Sequence, residues 1–255
     1  MEMDTWKYFG ITHADHTLMN PMSLTKTEEI IDRLCLPDSG RVLDVACGKA
    51  EFLCLVAERY EVAGTGLDAS PITIEEARKN VAARGLNGRI RLLHMDGAKY
   101  EPDRGAALDL ASCIGASWIY QGHEGTLEAL SRMVRPGGLV LVGEPFWRTE
   151  PDPEYLKLTG QGADHYGTHA SNVQTGVNLG LSCLYTAVSN QDDWDRYEGL
   201  RWQAAERYAA AHPDDPDVEE LLQTSNKNRD AYLRWGRDCL GWAMYLFRKP
   251  GNIRP

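Results

Sequence analysis

The chain has 255 residues, 43% hydrophobic and 25% charged, enough for one substantial core in an ordinary globular protein. Its formal net charge is -10 and it carries no run of lysines or arginines, which argues against a nucleic-acid partner gripped through phosphates. It has no long apolar stretch, and the start MEMDTWKYFGITHADH lacks the basic opening and apolar centre of a secretory signal, so no membrane partner and a cytoplasmic location are expected.

In chain order, Thr25-Lys26-Thr27-Glu28 fits a capping box for a helix running to about Cys35, with Ile30, Ile31 and Leu34 behind it, and Pro37-Asp38-Ser39-Gly40 breaks it. Arg41 to Ala46 reads as a strand, Cys47-Gly48 as a tight turn, and Phe52, Leu53, Leu55 and Val56 as a helix face. A second unit follows, with a strand from Glu61 to Leu67, Asp68 at its end, and a helix capped by Ser70 and Pro71 that stops near Gly85. Further strands are expected at Arg89–His94, Ala107–Cys113 and Gly138–Gly143, the last preceded by a helix at Gly125–Val134 and the turn Arg135-Pro136-Gly137-Gly138. Leu179–Val188 and Trp242–Phe247 complete seven strands, with helices at Trp194–Ala211 and Val218–Trp235 between those two, separated by Pro213-Asp214-Asp215-Pro216.

Strand and helix thus alternate, which implies right-handed crossovers and a parallel sheet. The expected fold is α/β, a Rossmann-like doubly wound, mostly parallel seven-stranded sheet with an N-terminal cap and a helical insertion before the last strand. The divisions are 1–38 for the cap, 39–190 for the cofactor-binding domain, 191–236 for the insertion and 237–255 for the closing strand. Ligands of such sheets sit outside the carboxyl ends of the strands, where strand order reverses.

Three acids fall at the ends of three successive strands on that edge: Asp44, Asp68 and Asp96. In Asp44-Val45-Ala46-Cys47-Gly48-Lys49-Ala50 the small residues let a ligand approach the backbone at a helix N-terminus. Asp68 lies twenty positions after Gly48, and a carboxylate there offers two oxygens to the two hydroxyls of a ribose. Each acid also has a plain structural role open to it, as a cap or an Asx turn.

These motifs resemble those of the class I S-adenosylmethionine-dependent methyltransferases over most of positions 39–150. The resemblance implies that Asp44 supports the methionine end of the cofactor, that Ala46, Gly48 and Ala50 wrap it, that Asp68 binds its ribose and that Ala69 packs against its adenine. Ala50 departs from the glycine usual there. Met95-Asp96-Gly97-Ala98 matches the next motif, so Asp96 is assigned to the adenine amino group with Gly97 beside it. Cys113-Ile114-Gly115-Ala116 is expected next to the methyl donor. The implied activity is methyl transfer from S-adenosyl-L-methionine to a small-molecule acceptor, with S-adenosyl-L-homocysteine as product and the acceptor atom open among nitrogen, oxygen, sulfur and carbon.

A nicotinamide-dependent oxidoreductase would share the fold and the ribose acid, yet of the three glycines of GxGxxG this turn keeps only Gly48. Tyr245 and Lys249, the one Tyr-x-x-x-Lys pair, fall on the last strand, where four residues span about 13 Å. A non-catalytic S-adenosylmethionine-binding protein is the other alternative, because methyl transfer needs little beyond alignment and exclusion of water.

His123 and Glu144 follow strands that end near the donor and are the candidate general bases. His13, His16, Asn20, Ser23, Trp118, Trp147, Tyr197 and Trp202 are the candidate acceptor contacts, from the polar arm before the first helix and from aromatic segments at the carboxyl edge. The arm and the inserted helices are expected to cover the donor methyl as a lid. His13 and His16 have HxxH spacing without a third ligand, so no metal is expected. The six cysteines have no CxxC spacing and read as buried thiols.

Overall fold

A computed structural model describes residues 3–102 and 107–251. The ends of the 1–38 and 237–255 segments and residues 103–106 lie outside the described residues. The seven strands are β1 (Arg41–Val45), β2 (Ala63–Asp68), β3 (Ile90–His94), β4 (Leu108–Ile114), β5 (Val134–Trp147), β6 (Ser182–Val188) and β7 (Leu240–Arg248). They form one sheet in the order β3-β2-β1-β4-β5-β7-β6, parallel except that β7 runs antiparallel to both its neighbours. The Rossmann-like, mostly parallel sheet expected from the sequence is therefore present, and its order reverses between β1 and β4.

Helices cover both faces, so the central strands are apolar on both sides. Val42, Leu110, Leu141, Met244 and Leu246 pack with α2 (Leu24–Ile31), α3 (Glu51–Arg59) and α4 (Pro71–Ala83) on one face. Their alternate neighbours Leu43, Val45, Ala111, Val140, Val142, Tyr245 and Phe247 meet Leu127 and Leu130 of α5 (His123–Met133) on the other. α7 (His169–Asn178) shares that second face through Val173.

Several boundaries differ from the sequence reading for local reasons. The cap of α2 is Ser23, whose Oγ accepts from Lys26 N, and Thr27 Oγ1 donates back to Ser23 O instead of joining a box begun at Thr25. That helix ends at Ile31, and Cys35 stands at φ +47. The Arg135–Gly138 turn is absorbed as a register shift inside the longer β5. Three helices were not expected: α1 (Thr5–Thr12), α6 (Pro153–Thr159) and α7, capped by Asp4, Asp152 and Thr168. α7 takes the residues up to Asn178, which delays β6 to Ser182. α8 (Gln191–Ala211) begins three residues before Trp194, at an Asn190–Asp193 capping box. α9 (Val218–Ala231) gives way to one π-helical turn at Tyr232–Gly236, widening the chain just before β7.

α7 lies on β7 through Gly176, where a Cβ would come 2.3 Å from Phe247 Cε1, and Phe247 is fully buried. Gly176→Ala should overpack this contact by about 1–3 kcal/mol, outweighing alanine's helix preference. At roughly 2–4 °C per kcal/mol for a chain of this size, thermal denaturation should show a clearly lower Tm. An unchanged or raised Tm would contradict the packing described.

Candidate active site

The turn after β1 places Ala46, Gly48 and Ala50 at φ +55, +56 and +59, alternating with ordinary residues. Asp68, at the carboxyl end of β2, holds that turn: Gly48 N donates to its Oδ2 at 3.0 Å and Ser70 N to its Oδ1 at 2.9 Å. Each oxygen keeps a second lone pair for a ligand hydroxyl. Burial raises the Asp68 pKa, and the two N–H groups pull it back.

A cavity of about 480 Å³ opens over this edge, lined by Ala46, Gly48, Asp68, Ala69, Met95, Asp96, Gly97 and the stretch Ile114–Ala116. Ala69, Met95 and Ile119 give it apolar lining, together with the carboxylate of Asp96. Asp96 Oδ1 accepts from Ala98 N in an Asx-type turn. Gly97 is required here, because a Cβ would reach 2.5 Å from Val45 Cγ1. Trp6, Phe9 and His13 of the N-terminal segment close the outer side. Asp44 lies deeper, against a narrow extension lined by Met19, Asn20 and Gly48. Ser112 Oγ donates to it at 2.7 Å. Burial pushes the Asp44 pKa up to about 7, against the Ser112 bond and with help from the Asp68 charge. Carboxylates for hydroxyls and an amine, beside an apolar wall that a base can lie against, fit an adenosyl amino acid.

A second cavity of about 500 Å³ shares Met19, Gly115, Trp118 and Tyr197 with the first. It continues to Asn20, Glu144, His165, Tyr166, Trp194, Glu198, Arg201 and Trp242. Glu144 is 5% exposed, and its Oε2 has no hydrogen-bond partner among the described residues. Burial pushes its pKa up to about 7, with Ser117 acting the other way. Trp118, at the junction, is 72% exposed.

His13 Nε2 meets Tyr197 Oη at 2.9 Å and His16 Nε2 meets Tyr197 O at 2.9 Å, so both rings tie the arm to α8. Burial holds the His13 pKa well below its ordinary value and that of His16 down to about 4. Ser23 lies on the arm's other side, lining a separate cavity of about 310 Å³ with His16 and Asn20.

Five expected residues stand elsewhere. His123 opens α5 with Nε2 on Asn172 O at 3.0 Å and its ring against Tyr245, which corrects its assignment as a base at the donor. Trp147 packs on Tyr155 and Tyr166 and donates Nε1 to Ala163 O. Trp202 packs against Tyr232. Neither tryptophan lines these cavities. Cys113 is fully buried in the sheet core, and the cavity wall begins one residue later at Ile114. Ala50 caps α3 with its side chain fully buried, away from the cofactor cavity. Sequence reasoning missed Glu198 and Arg201, whose only signal was an opposite-charge pair three residues apart on the inserted helix.

Comparison with known proteins points to the same cofactor. A family model described as a methyltransferase domain matches residues 42–138. An uncharacterised protein, YjhP of Escherichia coli K12, is 31% identical over 245 residues, covering 95% of this chain and 98% of that one. A crystal structure of an S-adenosylmethionine-dependent methyltransferase from Geobacter sulfurreducens in complex with S-adenosyl-L-homocysteine is 30% identical with a TM-score of 0.89, covering 96% of this chain and 98% of that one. Its counterpart from Thiobacillus denitrificans, with the same compound, is 32% identical with a TM-score of 0.88, covering 97% and 99%. With near full-length similarity, the matching sheet and the cavity over Asp68, the chain belongs to the class I S-adenosylmethionine-dependent methyltransferases.

Proposed function

We propose that this methyltransferase acts on a small molecule held in the second cavity, with Glu144 as the general base. The observation that carries the reading is the wall of Met19, Gly115, Trp118 and Tyr197 shared by the two cavities, which brings an acceptor alongside the cofactor. In this reading Asp68 binds the ribose, Asp96 and Gly97 the adenine, and Asp44, Ala46 and Gly48 the methionine end. S-adenosyl-L-methionine supplies an electrophilic methyl that the acceptor's lone pair takes by in-line displacement. Glu144 receives the proton an N–H or O–H acceptor gives up, because its Oε2 is buried, unpartnered among the described residues and half-ionised near neutral pH. The arm and α8 exclude water and hold the acceptor in line. A volume of about 500 Å³ suits a metabolite, and the charge of -10 disfavours nucleic acid. No helix among the described residues is long and apolar enough to cross a membrane, in keeping with work in the cytoplasm.

Asp68→Ala removes the acceptor of two ribose hydroxyls and loosens the Gly48 turn. Hydrogen bonds to a charged group contribute about 1.5–3 kcal/mol each, so calorimetry should show S-adenosylmethionine affinity about tenfold or more weaker in the folded variant. Unchanged affinity would remove Asp68 from the site.

With its pKa at about 7, Glu144 is protonated and idle as a base below that pH, so the rate should climb through pH 7 and level off above it. Glu144→Gln should flatten that climb and lower kcat about a hundredfold or more. The sign for stability is opposite. The folded pKa lies above the unfolded value of 4.5, so from pH 4.5 to 7 the unfolded chain ionises Glu144 while the fold keeps it protonated, and this contribution to stability falls as the pH rises. Denaturation across that range should show Glu144→Gln losing less stability than wild type. A variant with an unchanged pH-rate profile would exclude Glu144 as the base.

A further inference from the structure

Arg201 projects from α8 into the acceptor cavity. Its Nη1 donates to Glu198 Oε1 at 2.8 Å, and the guanidinium lies 5.7 Å from the Tyr197 ring centroid. Its Nε is buried with no partner among the described residues. The Glu198 bond therefore occupies one side of the fork and leaves the Nε edge unused. A guanidinium edge matches the two oxygens of a carboxylate in spacing and plane. Glu198 cancels the charge of Arg201 but leaves those donors unsatisfied, so a ligand that brings two acceptor oxygens gains what a neutral, poor acceptor does not.

Glu144, the other ionisable group of this cavity with a buried atom (Oε2) unpartnered among the described residues, comes from β5 instead of α8. As a carboxylate it accepts, where Arg201 only donates. The two set opposite demands on one ligand: an acceptor group for Arg201 and a proton-bearing nucleophile for Glu144. Trp194, Tyr197 and Trp242 give the same cavity aromatic walls.

We propose that the acceptor is a small amino or hydroxy carboxylic acid, whose carboxylate docks on the free edge of Arg201 while its N–H or O–H faces Glu144. This rests on the second cavity being the acceptor site. Matched pairs of glycine, lactate, anthranilate and salicylate with their carboxamides, titrated calorimetrically into protein saturated with S-adenosyl-L-homocysteine, test it. At least one acid should bind about tenfold or more tightly than its amide, and Arg201→Gln should erase the difference while leaving S-adenosyl-L-homocysteine affinity unchanged. Because Arg201→Gln strands the buried Glu198, the double variant Glu198→Gln/Arg201→Gln is measured beside it, with Tm confirming that it folds. Equal affinity for acid and amide throughout the panel, or a preference that survives in the folded double variant, overturns the proposal. Failure of the wild-type chain to bind S-adenosyl-L-homocysteine would instead sink the methyl-transfer reading on which it stands.

Discussion

The Asp68 carboxylate is the joint on which the site is built. It ties the backbone of the β1 turn at Gly48 to the start of α4 at Ser70, fixing two loops from neighbouring strands with one side chain. The turn needs such a tie because Ala46 and Ala50 are held in the left-handed region, which costs a residue with a Cβ about 1–2 kcal/mol. Their strain persists because the surrounding sheet and α3 over-determine the turn. Ala50 answers the question raised by the missing glycine: its methyl points into the core, so the backbone path is kept without narrowing the cavity.

The N-terminal segment and the inserted helices are fastened together at both ends. Lys7 Nζ reaches Asp215 and Asp217, and Lys49 Nζ donates to His13 O and Ala14 O, joining the arm to the turn after β1. The Lys7 pairs are open to solvent and screened by salt, so the arm's hold comes mainly from the buried His13 and His16 against the half-buried Tyr197. Its two polar links run between neutral partners, and the three rings pack at 4.8–5.6 Å. Met19 then crosses directly over Gly48, its sulfur 3.1 Å from where a Cβ would stand.

Much of the fold was legible because its signals are local: strand periodicity, the Ser70-Pro71 cap, and acids placed one residue past apolar runs. Asp44, Asp68 and Asp96 reach one edge because parallel strands bring their carboxyl ends together. The misses have equally physical causes. Cys113 and Ile114 differ by one residue, and in a strand one residue changes the face, so the donor-side wall went to the wrong neighbour. His123 was judged by its distance along the chain from β4, but the helix it opens turns its ring toward α7. The second cavity joins Asn20, Glu144 and Arg201, and no window along the sequence contains all three.

Two ion pairs with buried carboxylates differ in how fully the guanidinium is partnered. Glu51 receives Arg84 Nη2 on both oxygens at 2.6 and 2.7 Å and Asn80 Nδ2 at 3.0 Å, while Arg84 Nε goes to Asn80 Oδ1 and Nη1 to Glu58. Every arm of that guanidinium has a protein partner, as expected of a pair whose work is to hold α3 against α4. Arg201 and Glu198 are joined by one bond, with Nε buried and unpartnered among the described residues, and both line a cavity. Burying an ion pair is seldom a gain over apolar residues of similar volume, and leaving part of one unsatisfied is worse. Packing alone gives no reason for a charge pair at this place in α8, where leucine and methionine would fill the space at lower cost. A ligand carboxylate of the kind proposed above would complete the coordination of Arg201.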